Sequence, residues 1–306
     1  MYTTQAVCNP SRTSLLTSRR PDTSRIWDNG DTGGTAMWRI EGGNFTSLPQ
    51  HFKDEGYIVL GTGKIYHPIS MGFPGAFDYD RNYSWSPECL PYHDEFVEPC
   101  GSSTVCPLPR GGFSGPAMSW SIFDNVTDDE MAEGQLAINA KRLLSLVADN
   151  RKTKKDERPF FTAVGFHRPH IPWHAPRHYY DLYPPGDLPI AKHDCLPENG
   201  IGVAYAASWS YSNPQGTENR CGQCPTCGQC PWWGNRSLWD YFTDLGAMKK
   251  SHRYPWDNSS IAAPDQQLIR QAYRAAISFT DRNIGQVTDH LADLNLYDET
   301  IVALWG

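Results

Sequence analysis

Gln5-Ala6-Val7-Cys8-Asn9-Pro10-Ser11-Arg12, running on through Leu15-Leu16-Thr17-Ser18-Arg19, is the stretch that decides how this chain is read. Ala6 and Val7 read as the end of a short buried strand. Asn9 is a good N-cap, and Pro10 fits the first helical position, where its missing N–H costs nothing. Ser11 to Ser18 then reads as a short helix with Leu15 and Leu16 facing inward. Cys8 sits just outside that helix N-terminus, where unpaired N–H groups and the helix dipole favour an anion. Arg12 lies about one helical turn further on and leans over the same spot. A thiol, a positive helix end and a guanidinium converge on one small volume, a site for an anionic group.

Three readings of Cys8 compete. It could be a small buried hydrophobe beside a solvated Arg12. It could belong to a thiolate phosphatase loop, but Asn9-Pro10-Ser11 supplies few N–H donors and Pro10 none. The run Cys-x-Pro-Ser-Arg followed by Leu16-Thr17 resembles the signature of type I sulfatases, in the alkaline phosphatase superfamily. The resemblance implies that a formylglycine-generating enzyme oxidises Cys8 to formylglycine, whose hydrated aldehyde is the nucleophile. The family signature usually continues with Gly-Arg; here Ser18 stands in place of the Gly.

The 306 residues, 39% hydrophobic, 12% aromatic and 20% charged, suit a globular chain with a substantial core. A net charge of −7 with no long basic run argues against nucleic acid as a partner. No apolar stretch approaches the length of a membrane span. Sequons at Asn44, Asn82, Asn125, Asn235 and Asn258 point to a lysosomal or secreted glycoprotein, although no signal peptide precedes Cys8.

In chain order, Arg20-Pro21-Asp22 ends the first helix and opens an irregular polar stretch to Gly43. Leu48 to Glu55 reads as an amphipathic helix, and Tyr57 to Gly61 as a buried strand running into Gly63-Lys64-Ile65-Tyr66-His67-Pro68. Loops fill 70 to 122. Thr127, with Glu130 three residues on, reads as the cap of a helix from Asp128 to about Asp149. A charged linker, Asn150 to Arg158, leads to a strand from Phe160 to Phe166. That strand ends in His167-Arg168-Pro169-His170-Ile171-Pro172. A loop-rich region spans 173 to 262. Pro264 to Leu294 makes a long helix with Leu268, Ala272, Ile277 and Ile284 among its apolar positions, and Thr300 to Leu304 a last strand. Helices alternate with short apolar strands, which predicts an α/β fold with a largely parallel central sheet and helices on both faces.

Cys8, Lys64 with His67, and His167 with His170 each follow the C-terminal end of an expected strand, the edge where open α/β sheets bind ligands. Taken singly, Lys64 reads as a surface lysine, and the two imidazoles as turn formers or zinc ligands. Together they extend the resemblance. The Gly63–Pro68 and Gly165–Pro172 blocks are similar to those of the iduronate-2-sulfatase group, as are Arg19–Thr23, Gly43–Phe45, Tyr83–Ser86 and Ser278–Asp281. The similarity covers nearly all of 1–306 except roughly 205 to 240, an inserted Cys- and Trp-rich loop. It implies an alkaline-phosphatase-like fold and hydrolysis of a sulfate ester on a sugar. By carry-over, the hydrate at Cys8 attacks sulfur and Arg12 supports the modified residue. Lys64 and His170 hold the sulfate oxygens, His170 also as proton donor, with His167 beside them. His67 stabilises the hydrate and helps expel sulfate.

The resemblance also implies one calcium ion, bound by the formylglycine at position 8 and by Asp, His or Asn side chains expected outside this chain. The chain therefore reads as an incomplete catalytic domain, inactive as written. Near a family disulfide, Cys100 and Cys106 are expected to pair. Cys221, Cys224, Cys227 and Cys230, at strict two-residue spacing, read as a disulfide knot or a metal site, with the knot preferred. Cys89 and Cys195 have no assigned partner. Two further functions fit the same motifs: a phosphonate or phosphate monoester hydrolase of the superfamily, and a non-catalytic sulfated-glycan binder.

Overall fold

The computed structural model describes residues 3–29, 38–67, 80–89, 120–192 and 263–306. Its helices are α1 (Cys8–Thr17), α2 (Pro21–Ser24), α3 (Trp38–Glu41), α4 (Leu48–Asp54), α5 (Arg81–Ser84), α6 (Ala132–Lys152), α7 (Arg177–Asp181) and α8 (Ala263–Asp293). Its strands are β1 (Ile58–Gly63), β2 (Trp120–Phe123), β3 (Phe160–Gly165) and β4 (Trp173–Pro176). They fall into two compact units. The first holds Met1–Phe96, Asp129–His167 and Asp281–Gly306; the second holds Val97–Asp128 and Arg168–Thr280.

In the first unit β1 pairs in parallel with β3, from Ile58 opposite Phe160 to Gly63 opposite Gly165. Every β1 residue is buried, as a continuous Ile-Val-Leu run implies for a parallel strand covered on both faces. Leu16 of α1, Leu143, Leu144 and Val147 of α6, and Leu291 of α8 complete its core. The backbone of Ile58 and Lys64 bonds toward the β3 side, so Val59 and Gly61 point to the other edge. That edge is closed by local groups. Val59 N–H donates to Ser86 Oγ (2.8 Å), and Gly61 N–H donates to Cys89 Sγ (3.1 Å) while the thiol donates back to Gly61 O. Gly63 has φ +75°, and a Cβ there would lie 2.2 Å from Gly165 O and 2.4 Å from a Leu136 methyl. Only glycine lets β1 turn out of the sheet at this point.

In the second unit β2 pairs in parallel with β4, Trp120 opposite Trp173 through Phe123 opposite Pro176. The buried Tyr180 hydroxyl ties the pair together by donating to Trp173 O (2.8 Å), with Ser121 O also within reach at 3.3 Å. Ala272, Ala275, Ala276 and Phe279 give α8 a fully buried stripe.

Several expectations are corrected. Residues 4–7 form bends rather than a strand, Ala6 is exposed, and α1 begins at Cys8 with Val7 as N-cap, so Asn9 is not the cap. Pro10 still falls among the first N–H groups, which have no helical acceptor. Leu16 is buried but Leu15 is 48% exposed, because the helix turns only one of two adjacent residues inward. Leu268 and Ile277 are likewise exposed on α8. The polar stretch before Gly43 holds α2 and α3. Asp128–Glu130 is a separate 3₁₀ turn, and α6 starts after Met131 with no side-chain cap and continues to Lys152. The loop-rich segments contain β2, β4 and α7. Residues 301–306 pair with no strand among the described residues, and Ile301 is 96% exposed. An apolar run without a neighbouring ladder does not make a strand. Cys100, Cys106, Cys195, the Cys221–Cys230 cluster, Asn235, Asn258 and the 205–240 loop lie outside the described residues. No described helix is long and apolar enough to cross a membrane.

Candidate functional site

Cys8 is the first residue of α1 and is half-buried. The helix-end donors around it are fewer than expected. Asn9 N–H is bound by Asn29 Oδ1 (2.9 Å), and Pro10 has none. Asn9 Oδ1 in turn accepts from Thr13 Oγ1 (3.3 Å), so two buried asparagines and a threonine hold the first turn in place. The helix dipole still places partial positive charge beside Cys8.

Lys64 supplies the full charge. It follows β1, its N–H donates to Gly165 O (2.8 Å), and its Nζ stands 4.0 Å from Cys8 Sγ. Burial lowers the Lys64 pKa by making the ammonium costly; proximity to Cys8 opposes that shift and Arg12 adds to it. Arg12 does not project freely over the thiol. One guanidinium nitrogen donates to Lys64 O (2.6 Å) and Ile65 O (3.0 Å), clamping α1 to the turn that carries Lys64. Cys8, Arg12 and Lys64 are thus brought together.

His67 continues the same turn, half-buried, and its Nδ1 has no partner among the described residues. The intervening Tyr66 is anchored. Its hydroxyl donates to Ser47 Oγ (2.9 Å) and lies 2.7 Å from Ser84 Oγ, while Ser84 and Arg39 both donate to Asp80. Burial and the nearby Asp80 push the Tyr66 pKa up, so it stays a neutral hydroxyl. His167 follows β3, and its backbone N–H donates to Glu133 Oε1 (3.1 Å). His170 belongs to the second unit and is exposed. Its Nδ1–H donates to Ile171 O (2.6 Å), which fixes the tautomer and leaves Nε2 to face outward chemistry.

Sequence reasoning missed Asn29 and Glu133. Glu133 is 1% exposed in the first turn of α6, and an acid at a helix N-terminus was the available signal. Cys89 is a free buried thiol whose pKa burial raises, a strand-edge partner rather than a reactive group. Asn44 and Asn125 are exposed. Among the described residues no three His, Cys, Asp or Glu side chains gather as metal donors. The described charged side chains next to Cys8, Lys64 and Arg12, are cations and supply no oxygen donors of the kind calcium takes.

The Sulfatase family profile matches residues 1–306. The chain is 32% identical to iduronate 2-sulfatase of Homo sapiens over 302 residues, covering 99% of this chain and 46% of that protein. It is 26% identical to a sulfatase of Formosa agariphila, covering 98% of this chain and 49% of that one. The chain therefore spans about half the length of the curated relatives it matches. The solved phosphonate monoester hydrolase of Agrobacterium radiobacter is similar in fold at 16% identity, with a TM-score of 0.53 over 97% of this chain and 52% of that one. The architecture is the alkaline-phosphatase-like α/β fold, and the chain belongs to the Sulfatase family.

Proposed function

We propose that the complete protein is a sulfuric ester hydrolase that removes sulfate from a sulfated sugar, with formylglycine made from Cys8 as its nucleophile. The observation that carries this reading is the 4.0 Å approach of Lys64 Nζ to Cys8 Sγ at the dipole-positive end of α1. A sulfate whose oxygens gather charge during transfer is stabilised by such fixed cations. The similarity to iduronate 2-sulfatase across 99% of the chain supports the sugar ester as substrate class.

In this reading a hydroxyl of the hydrate at position 8 gives up its proton to solvent as its oxygen attacks sulfur. The S–O bond to the sugar breaks, and the leaving oxygen takes up a proton, for which the family resemblance offers His170 as donor. Lys64 holds sulfate oxygens beside residue 8, and the resemblance gives His167 and His170 substrate-binding roles. Arg12 keeps the Lys64 turn against α1. His67 takes a proton from the remaining hydrate hydroxyl, the C–O bond to sulfate breaks, and the aldehyde returns.

The five sequons support a lysosomal or extracellular protein, one that meets a formylglycine-generating enzyme before it reaches its substrate. Side-by-side turnover of an aryl sulfate and an aryl phosphonate by the full-length protein is the test. Faster sulfate turnover, abolished in Cys8→Ala, is expected. Preference for the phosphonate would move the protein to the other hydrolase class, and sulfated-glycan binding with no turnover of either would make it a binder.

A further inference from the structure

The residues Phe123-Asp124-Asn125-Val126-Thr127 close β2 with an aromatic ring two positions before a sequon asparagine. Asn125 is exposed and left-handed, φ +56°, a conformation asparagine tolerates better than most residues. That backbone reversal turns Phe123, Asn125 and Thr127 toward one recess of about 510 Å³, faced by Arg177, His178 and Asp181. The half-buried Phe123 ring meets His174 edge-on (5.6 Å, 64°) on one side. The other described sequon whose side chain is placed, Asn44, differs: its Oδ1 accepts from Arg39.

We propose that Asn125 carries an N-glycan built into the fold, its first N-acetylglucosamine lying on Phe123 in this recess. The electropositive C–H face of the sugar meets the negative face of the ring, and Thr127, Arg177 and Asp181 offer partners for its hydroxyl and acetamide groups. The donor is a lipid-pyrophosphate-linked oligosaccharide. The Asn125 amide nitrogen bonds to sugar C1, the C1–O bond to pyrophosphate breaks, and the amide loses one proton as the lipid pyrophosphate leaves. The proposal rests on the lumenal placement of the protein and not on the chemistry at Cys8.

The test uses four full-length proteins secreted from a host that adds high-mannose glycans: wild type, Asn125→Gln, Phe123→Leu and the double variant. Each is trimmed by an endoglycosidase to one sugar per site. Glycopeptide mass spectrometry should find Asn125 occupied in wild type and in Phe123→Leu. Asn125→Gln should lower Tm by about 2 °C in the wild-type background and leave Tm unchanged in the Phe123→Leu background. An unoccupied Asn125, no loss of Tm, or an equal loss in both backgrounds overturns the proposal; equal losses would mean that Asn125 matters for its backbone alone. Sulfatase activity is not the readout, so the result is independent of the fate of Cys8.

Discussion

Lys64 Nζ lies 4.0 Å from Cys8 Sγ although 56 residues separate them in the chain. The contact exists because Gly63 lets β1 leave the sheet and Arg12 holds the resulting turn against α1. Burial of Lys64 lowers its pKa, so the unfolded chain keeps this proton to higher pH than the folded one. Stability contributed by this group therefore rises as pH climbs from the folded value toward the ordinary 10.5. Lys64→Met should abolish that alkaline gain in thermal melts compared across the range, without loss of fold at neutral pH. Its turnover of an aryl sulfate should fall at least about a hundredfold. Lys64→Arg should recover only part, since a planar guanidinium does not replace a compact ammonium.

Arg12→Ala leaves the carbonyls of Lys64 and Ile65 without their donor. Each abandoned acceptor costs about 1–3 kcal/mol, to be read from the urea midpoint. Arg12→Lys, able to reach one carbonyl, should fall between wild type and Ala.

Ser18 closes α1 in the left-handed region, φ +55° and ψ +31°, and is exposed. Ser18→Gly should stabilise the protein by about 1 kcal/mol through relief of that strain. It should also raise the fraction of Cys8 converted to formylglycine, measured on the same preparations by peptide mass spectrometry.

Glu133→Ala removes the buried acceptor of His167 N–H and leaves a cavity. A loss of about 2–4 kcal/mol is expected. Glu133→Gln keeps an accepting oxygen and should lose less than half as much. Denaturant titration of the three proteins decides the order.

Much of this site was legible in the sequence because it rests on local signals. The Ile58–Leu60 run marks a buried strand, and the Cys8–Arg12 spacing puts both on one helix. Pairing of distant loops was not legible: nothing local says that Asn29 binds Asn9, that Glu133 holds His167, or that Cys89 completes the edge of β1. The short strands β2 and β4 were missed because Trp173–Pro176 ends in proline and reads as loop; it is a strand only through Trp120–Phe123 beside it. The apolar Thr300–Leu304 run failed for the opposite reason, having strand composition and no described neighbour.

The most direct measurement is the mass of the peptide carrying residue 8, from full-length protein made with a formylglycine-generating enzyme, unfolded and alkylated. Cys89 serves as the internal control, since its thiol is shielded only by the fold and should be alkylated completely. Formylglycine chemistry requires that position 8 take up no alkylating agent and appear as the aldehyde or its hydrate. A fully alkylated Cys8 in protein that still hydrolyses sulfate esters would contradict it.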